Sequence, residues 1–154
     1  MTAKPKFVYV TYIRTTPEKL WRALTDPEIT RQYWFATRSE SEWKPGAAWQ
    51  LTIPDGRAAD SGKVLEIDPP RRLVLSWRHE LDPELRAEGF TRASFELEPQ
   101  GDMVKLTIIH EIDRPESRII NEFADGWPPI LASLKSWLET GQSLEFTRHW
   151  PEGV

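Results

Sequence analysis

The sequence predicts an α+β protein in which a curved antiparallel sheet of six or seven strands surrounds one long C-terminal helix. Residues 113–141 carry large apolar side chains at steps of three and four, which is typical of one face of a helix. Residues 42–111 alternate apolar and polar side chains between turn sequences, which is typical of antiparallel strands with one buried face. Two short helical patterns follow the first strand and leave little room for a parallel crossover.

The N-terminal part contains one predicted strand and two predicted helices. Residues 6–14 are β-branched and aromatic and predict a strand, and we expect its Ile13 face to point inward. Thr15, with a glutamate three residues later, has capping-box spacing and predicts the start of the first helix. Residues 25–28, T-D-P-E, repeat this pattern and predict the start of a second short helix in the same way.

The middle of the chain predicts a meander of strands joined by turns that contain proline, glycine and aspartate. The predicted strands are residues 48–53, 62–68, 73–78, 90–98 and 103–111. Their apolar faces include several large aromatic side chains, so they form the broad surface that the C-terminal helix needs. Residues 79–89 are highly charged, and we expect a mobile connection there.

The C-terminal stripe is interrupted by Gly126, Pro128 and Pro129. A proline inside a helix costs roughly 3 kcal/mol, so we expect a short helix, a kink or restart at residues 126–129, and a second helix that ends at Gly141. We expect Asp113 to be a helix cap. For the tail beyond the helix, self-association and packing on its own domain both remain open.

A curved sheet touches a helix along a line, so the wedge between them is either filled by large side chains or left as a cavity. Apolar cavities are where small ligands usually bind. The candidate lining residues are Trp34, Trp49, Trp77, Phe95, His110, Trp127 and Leu131. His110 lies on the predicted inner face, where it is a ligand-orienting group, a general base or a structural histidine. We expect His79 and His149 to be solvated.

Composition excludes several classes of function. The chain has 154 residues and a net charge of −4, which predicts one domain (residues 1–154, with a core at about 6–141 and an extension at 142–154) and argues against nucleic-acid binding. It has no cysteine, no metal-ligand spacing and no cofactor-binding motif, so we expect neither a metal nor a cofactor. Residues 1–10 have no long apolar run, and no run in the sequence is long enough for a membrane span, so we expect no secretory leader and a cytoplasmic protein.

The order of several motifs resembles the activator-of-heat-shock-protein-ATPase homologue family of the START-like, or SRPBCC, superfamily. The motifs are I-x-T-T-P-x-x-L-W at residues 13–21, L-T-D-P at 24–27, E-I-x-P-P-x-R-L-V at 66–74, L-T-I-I-H at 106–110 and G-W at 126–127. The resemblance covers roughly residues 6–141. It implies the helix-grip fold and a hydrophobic cavity between the sheet and the long helix, but it does not imply one activity.

Three functions remain open from the sequence. The first is binding of a small hydrophobic or amphipathic molecule in that cavity. The second, which the resemblance implies, is activation of a heat-shock-protein ATPase through contact with the chaperone. The third is a polyketide cyclase-like or dehydratase-like enzyme. The sequence favours binding over catalysis because His110 supplies only one half of an acid–base pair. A monomer and a homodimer both remain open.

Overall fold

The computed structural model describes residues 4–151 and confirms the predicted fold class. One antiparallel sheet has the strand order β1-β7-β6-β5-β4-β3-β2. The strands are β1 Lys6–Ile13, β2 Arg38–Ser41, β3 Ala48–Thr52, β4 Ala58–Asp68, β5 Arg72–His79, β6 Thr91–Gln100 and β7 Met103–Glu111. The helices are α1 Pro17–Thr25, α2 Pro27–Tyr33, α3 Pro83–Ala87 and α4 Arg118–Thr140, followed by a 3₁₀ turn at Glu145–Thr147.

The strands bury one face, as their alternation predicts. In β1 the Ile13 face points inward, whereas Val8, Val10 and Tyr12 on the other face are exposed. The central strands β5, β6 and β7 bury the sets that the pattern assigned to the core, which are Leu73, Leu75, Trp77, Ala93, Phe95, Leu97, Val104, Leu106, Ile108 and His110.

The two early helices begin close to the residues that the sequence predicts. Helix α2 starts within the predicted segment 25–28, and Asp26 is its cap, with a side chain that accepts a hydrogen bond from the Glu28 amide. The prediction for α1 is wrong by one residue, because Thr16, not Thr15, accepts a hydrogen bond from the amide of Lys19. Capping by Thr16 places the following proline in the first turn, where no backbone donor is needed.

Helix α4 is one continuous helix, so the restart predicted at its prolines is wrong. Its apolar stripe keeps its phase through Pro128 and Pro129, and burial against the sheet outweighs the local cost of the prolines. The helix begins later than predicted, because Ser117 is its cap while Asp113 forms an ion pair with Lys4. It ends at Gly141 as predicted, with φ of 84°, a left-handed conformation that glycine adopts without strain.

Two further elements were not predicted. Strand β2 pairs with β3 and forms the edge of the sheet. Helix α3 lies within the charged connection after β5, and the side chain of Asp82 caps it. The connection is therefore a structured wall beside α4.

The described part of the tail packs on its own domain. The backbone oxygen of Thr147 accepts a hydrogen bond from the amide of Phe35 at 2.6 Å, and its hydroxyl lies 2.6 Å from that of Ser133 in α4. Within residues 4–151, no helix has both the length and the apolar character needed to cross a bilayer.

Candidate ligand-binding cleft

Aromatic side chains fill the deep part of the wedge between the sheet and the helices. The ring centroids of Trp49 and Trp77 are 4.5 Å apart, and Trp34 lies 6.0 Å from Trp77 and 5.1 Å from Trp127. Between the sheet and the early helices these rings leave a volume of only about 10 Å³. A small molecule therefore has no room at this depth.

The wedge opens into a cleft of about 680 Å³ at the end near α3. This volume lies within the range of typical small-molecule sites. The floor of the cleft is apolar and includes Trp34, Leu51, Trp77, Phe123, Trp127 and Ile130. Its wall also carries charged and titratable groups, namely Arg57, Asp60, His79, Asp82, Arg118 and Glu122. An apolar floor below charged groups suits an amphipathic molecule.

The structure divides the seven predicted cavity residues into three groups. Three of them, Trp34, Trp77 and Trp127, line the cleft. Trp49 and Phe95 lie in the filled part of the wedge, where the indole nitrogen of Trp49 donates to the backbone oxygen of Ser76 at 2.8 Å. The remaining two, His110 and Leu131, are buried behind the cleft lining.

Both ring nitrogens of His110 are used inside the protein. Nδ1 lies 3.2 Å from the indole Nε1 of Trp127, which can only donate, so Nδ1 is the acceptor. Nε2 therefore carries the proton and donates to the hydroxyl of Thr91 at 2.7 Å. That hydroxyl in turn donates to the backbone oxygen of Trp77 at 2.8 Å. The arrangement is that of a structural histidine, because neither nitrogen is left for a ligand.

Burial also sets the protonation state of His110. The side chain is fully buried and stacks on Phe123, with ring centroids 3.7 Å apart. Loss of solvation lowers the pKa of His110 to about 3, because the protonated ring has no water around it. The ring is thus neutral at physiological pH, in agreement with the direction of its hydrogen bonds.

His79 is the titratable side chain of the cleft that sequence reasoning missed. It was expected in a solvated loop, but it is the last residue of β5, directly opposite Asp60 in β4. Its Nδ1 lies 3.2 Å from Oδ1 of Asp60, and that same oxygen accepts a hydrogen bond from the indole of Trp77 at 2.9 Å. The exposed fractions of the His79 and Asp60 side chains are 19% and 14%.

The surroundings of His79 favour its protonated form. Burial alone would lower the pKa of His79, but the hydrogen bond and charge of Asp60, with the charges of Asp82 and Glu80, outweigh burial and raise it. The cleft therefore has a histidine, His79, whose charged form is favoured, whereas His110 behind the cleft lining stays neutral.

The mouth of the cleft is held by contacts between α3 and α4. Glu88, which follows α3, accepts hydrogen bonds from the hydroxyl of Ser117 at 2.7 Å and from the amide of Arg118 at 3.0 Å. The guanidinium of Arg118 contacts Glu84 at 2.7 Å and Asp82 at 3.5 Å. Glu88 thus acts as a cap for α4 from a different element, which fixes one wall of the cleft against the other.

The described residues contain no group of three or more histidine, cysteine, aspartate or glutamate side chains placed to hold a metal ion. The donors of the cleft are instead paired side chains of opposite charge. Their chemistry is that of hydrogen bonding and proton exchange.

Comparison with known proteins gives a family and a set of similar folds. A model of the family described as Activator of Hsp90 ATPase homolog 1-like protein matches residues 14–139. None of the curated proteins matches the chain at a significant level.

Solved structures agree with the architecture. Protein MLL2253 from Mesorhizobium loti is 24% identical with a TM-score of 0.74, and the match covers 87% of this chain and 96% of that chain. The Aha1 dimer from Colwellia psychrerythraea is 20% identical with a TM-score of 0.72, over 90% of this chain and 98% of that chain. DynU16, from the dynemicin biosynthetic locus, is 18% identical with a TM-score of 0.72, over 92% of this chain and 49% of that chain. At these identities the likeness shows the fold.

Proposed function

The chain belongs to the Activator of Hsp90 ATPase homolog 1-like family, and from that premise we propose that it binds a small hydrophobic or amphipathic molecule in the cleft beside α4. The observation that carries this proposal is the open space of about 680 Å³ over a floor of three tryptophan rings. Indole rings present a wide apolar surface, and ligand sites typically combine such a surface with a few polar groups.

Burial of apolar surface supplies the affinity. Each methylene group that leaves water contributes about 0.8 kcal/mol, which corresponds to roughly a fourfold gain in affinity. Binding of straight-chain alcohols should therefore tighten from octanol to decanol until the chain fills the cleft. Calorimetric titration of the purified protein with this series measures the increment directly.

Gly126 offers a matched pair of variants for the test. It lies in α4 and lines the cleft, and a Cβ atom added there meets no other atom within 4 Å. Gly126→Trp should fill the cleft and abolish decanol binding, whereas Gly126→Ala should leave the binding intact. The proposal is overturned if the wild-type protein binds none of the alcohols, or if Gly126→Trp binds decanol as tightly as Gly126→Ala.

A second candidate function is activation of an Hsp90-type ATPase through protein contact. It is favoured by the family to which the chain belongs and by the likeness of its fold to the Aha1 dimer. Contact through the surface would not require the cleft. An ATPase assay with the Hsp90-type chaperone of the same organism tests this function, and stimulation that persists in Gly126→Trp would separate it from ligand binding.

A further inference from the structure

We propose that the ligand of the cleft is an amphipathic carboxylic acid, and that His79, held by Asp60, binds its carboxylate. This inference rests on the proposed function and deepens it, because it names the chemical class of the ligand. It assigns a ligand-binding role to the paired side chains of His79 and Asp60.

The geometry of the pair leaves one ring nitrogen for a ligand. Nδ1 of His79 faces Oδ1 of Asp60 at 3.2 Å, so the proton between them lies on Nδ1. The indole of Trp77 donates to the same carboxylate oxygen at 2.9 Å, which fixes Asp60 in place. Nε2 lies on the other side of the ring and makes no hydrogen bond to another residue in the described part of the chain. The His79 ring lines the cleft, so in the protonated ring Nε2 is a donor that a bound molecule can meet.

The other charged groups around His79 are engaged with partners. On the β5 side, Glu80 accepts hydrogen bonds from Arg78 at 2.7 Å and from Ser61 at 2.7 Å. From α3, the carboxylate of Asp82 caps the helix at the Glu84 amide, and its second oxygen lies 3.5 Å from Arg118. The facing wall contributes further ion pairs, Arg118 with Glu122 from α4 and Arg57 with Asp55 before β4. These groups have their own ion-pair or hydrogen-bond partners, whereas Nε2 of His79 makes no hydrogen bond to any residue between 4 and 151.

The balance of charge on the cleft wall depends on His79. Arg57 and Arg118 carry two positive charges, and the carboxylates of Asp60, Asp82 and Glu122 carry three negative charges. With a neutral His79 the wall is therefore net negative by one charge, and protonation of His79 brings it to zero. The raised pKa of His79 makes the protonated form available near neutral pH. In its protonated form His79 adds a cationic donor above the apolar floor, and this matches a molecule with one anionic head and an apolar body.

The test compares decanoate with decanol by calorimetric titration at about pH 6 and about pH 8. A carboxylic acid remains ionised over this range, so the change in protein charge comes from histidine. Decanoate should bind about tenfold more tightly at the lower pH, because the protonated ring donates a charge-assisted hydrogen bond from Nε2, whereas the neutral ring keeps its proton on Nδ1 and has no donor there. Decanol, which has the same apolar chain, should bind equally at both pH values.

Three variants assign the effect to the pair. His79→Gln should remove the pH dependence of decanoate binding, and decanol should still bind measurably at both pH values, which also shows that the cleft has kept its shape. Asp60→Asn retains an oxygen for the indole of Trp77 but removes the negative charge that favours protonated His79. The increase in decanoate affinity should therefore occur at a lower pH than in the wild-type protein. His149→Gln, which alters an exposed histidine of the tail, should behave as the wild-type protein does.

The outcomes distinguish this inference from the proposed function. If decanol binds but decanoate binding is independent of pH, or survives His79→Gln with its pH dependence intact, the carboxylate assignment is wrong and the cleft remains a ligand site. If neither decanol nor decanoate binds at either pH, the ligand site and the carboxylate assignment are both wrong.

Discussion

The indole nitrogen of Trp127 lies 3.2 Å from Nδ1 of His110, and this contact joins α4 to β7, the strand next to β1 at one edge of the sheet. The hydrogen bonds continue from His110 to Thr91 and from Thr91 to the backbone of Trp77. One directed series therefore ties the helix to β7, β6 and β5 in turn. Because all of these groups are buried, the loss of one donor leaves another polar group without a partner.

Trp127→Phe should lower the free energy of unfolding by about 1–3 kcal/mol, because Nδ1 of His110 is then buried without a donor. Denaturant unfolding monitored by circular dichroism measures this change. Trp137→Phe is the matched control, since its indole nitrogen donates to the Gln32 side chain at 3.0 Å near the surface. If the free energy of unfolding falls equally in both variants, the buried hydrogen bonds from Trp127 to Trp77 stabilise the protein no more than the exposed one does.

His110 and His79 should titrate differently. Since burial lowers the pKa of His110 to about 3, its ring signals in NMR spectra should show a neutral ring, protonated on Nε2, throughout the range from about pH 5 to 8. His79 should titrate above the ordinary value of 6.5. A His110 signal that moves with pH near neutrality would contradict the assigned hydrogen bonds.

These shifts affect stability in opposite directions. The unfolded chain protonates His110 near its ordinary pKa of 6.5, but the folded protein does not, so this contribution to stability is lost as pH falls from 6.5 toward 3. The contribution of His79 is fully present below pH 6.5 and is lost as pH rises through its raised pKa in the folded state. The pH dependence of unfolding in His79→Gln should consequently lack the loss at higher pH.

Glu88→Gln should destabilise the protein by about 1–3 kcal/mol, because it weakens charge-assisted hydrogen bonds to the start of α4. Burial alone would raise the pKa of Glu88, but the hydrogen bonds from Ser117, Arg118 and Ile119 outweigh burial and lower it. The stabilisation is therefore present above the ordinary pKa and is lost as pH falls through the lower value. Urea unfolding at neutral pH tests the prediction, and the exposed Glu116→Gln should change little.

Two glycine-to-alanine variants should differ in sign. At Gly62 an added Cβ would lie 1.8 Å from the backbone oxygen of Ser76 and 2.9 Å from the indole nitrogen of Trp49, so Gly62→Ala should cost more than about 2 kcal/mol. At Gly126 the added Cβ meets open space inside a helix, so Gly126→Ala should stabilise by about 0.5–1 kcal/mol. Thermal unfolding of the two variants gives the comparison, and a stable Gly62→Ala would contradict the close approach of β4 and β5.

The fold could be predicted because the apolar residues recur in the sequence at the same spacing as the buried positions in the strands and helices. The inner residues of β5, β6 and β7 recur at every second position, and the stripe of α4 recurs at every third or fourth. The elements that the sequence did not predict are short. Strand β2 has no alternating apolar residues, and α3 is only five residues long, so neither produces a periodic signal.

The site was harder to predict because it depends on register. The prediction placed the start of β4 at Gly62, whereas the strand begins at Ala58, and that difference hid the pairing of Asp60 with His79. The two residues are far apart in sequence, and a bulge between Val64 and Glu66 shifts the register further along the same pair of strands. Trp77 was predicted as a cavity-lining residue. The sequence gives no sign that its indole nitrogen donates a hydrogen bond to Asp60.

The ion pairs of Arg118 across the mouth have a kinetic consequence. They join α4 to the α3 wall through side chains that are substantially exposed, and exposed pairs of this kind contribute less than about 1 kcal/mol each and weaken in salt. The apolar floor is not weakened in this way. Ionic strength therefore acts on the rate at which an uncharged molecule enters and leaves, through the mouth, and leaves its equilibrium binding to the floor largely unchanged.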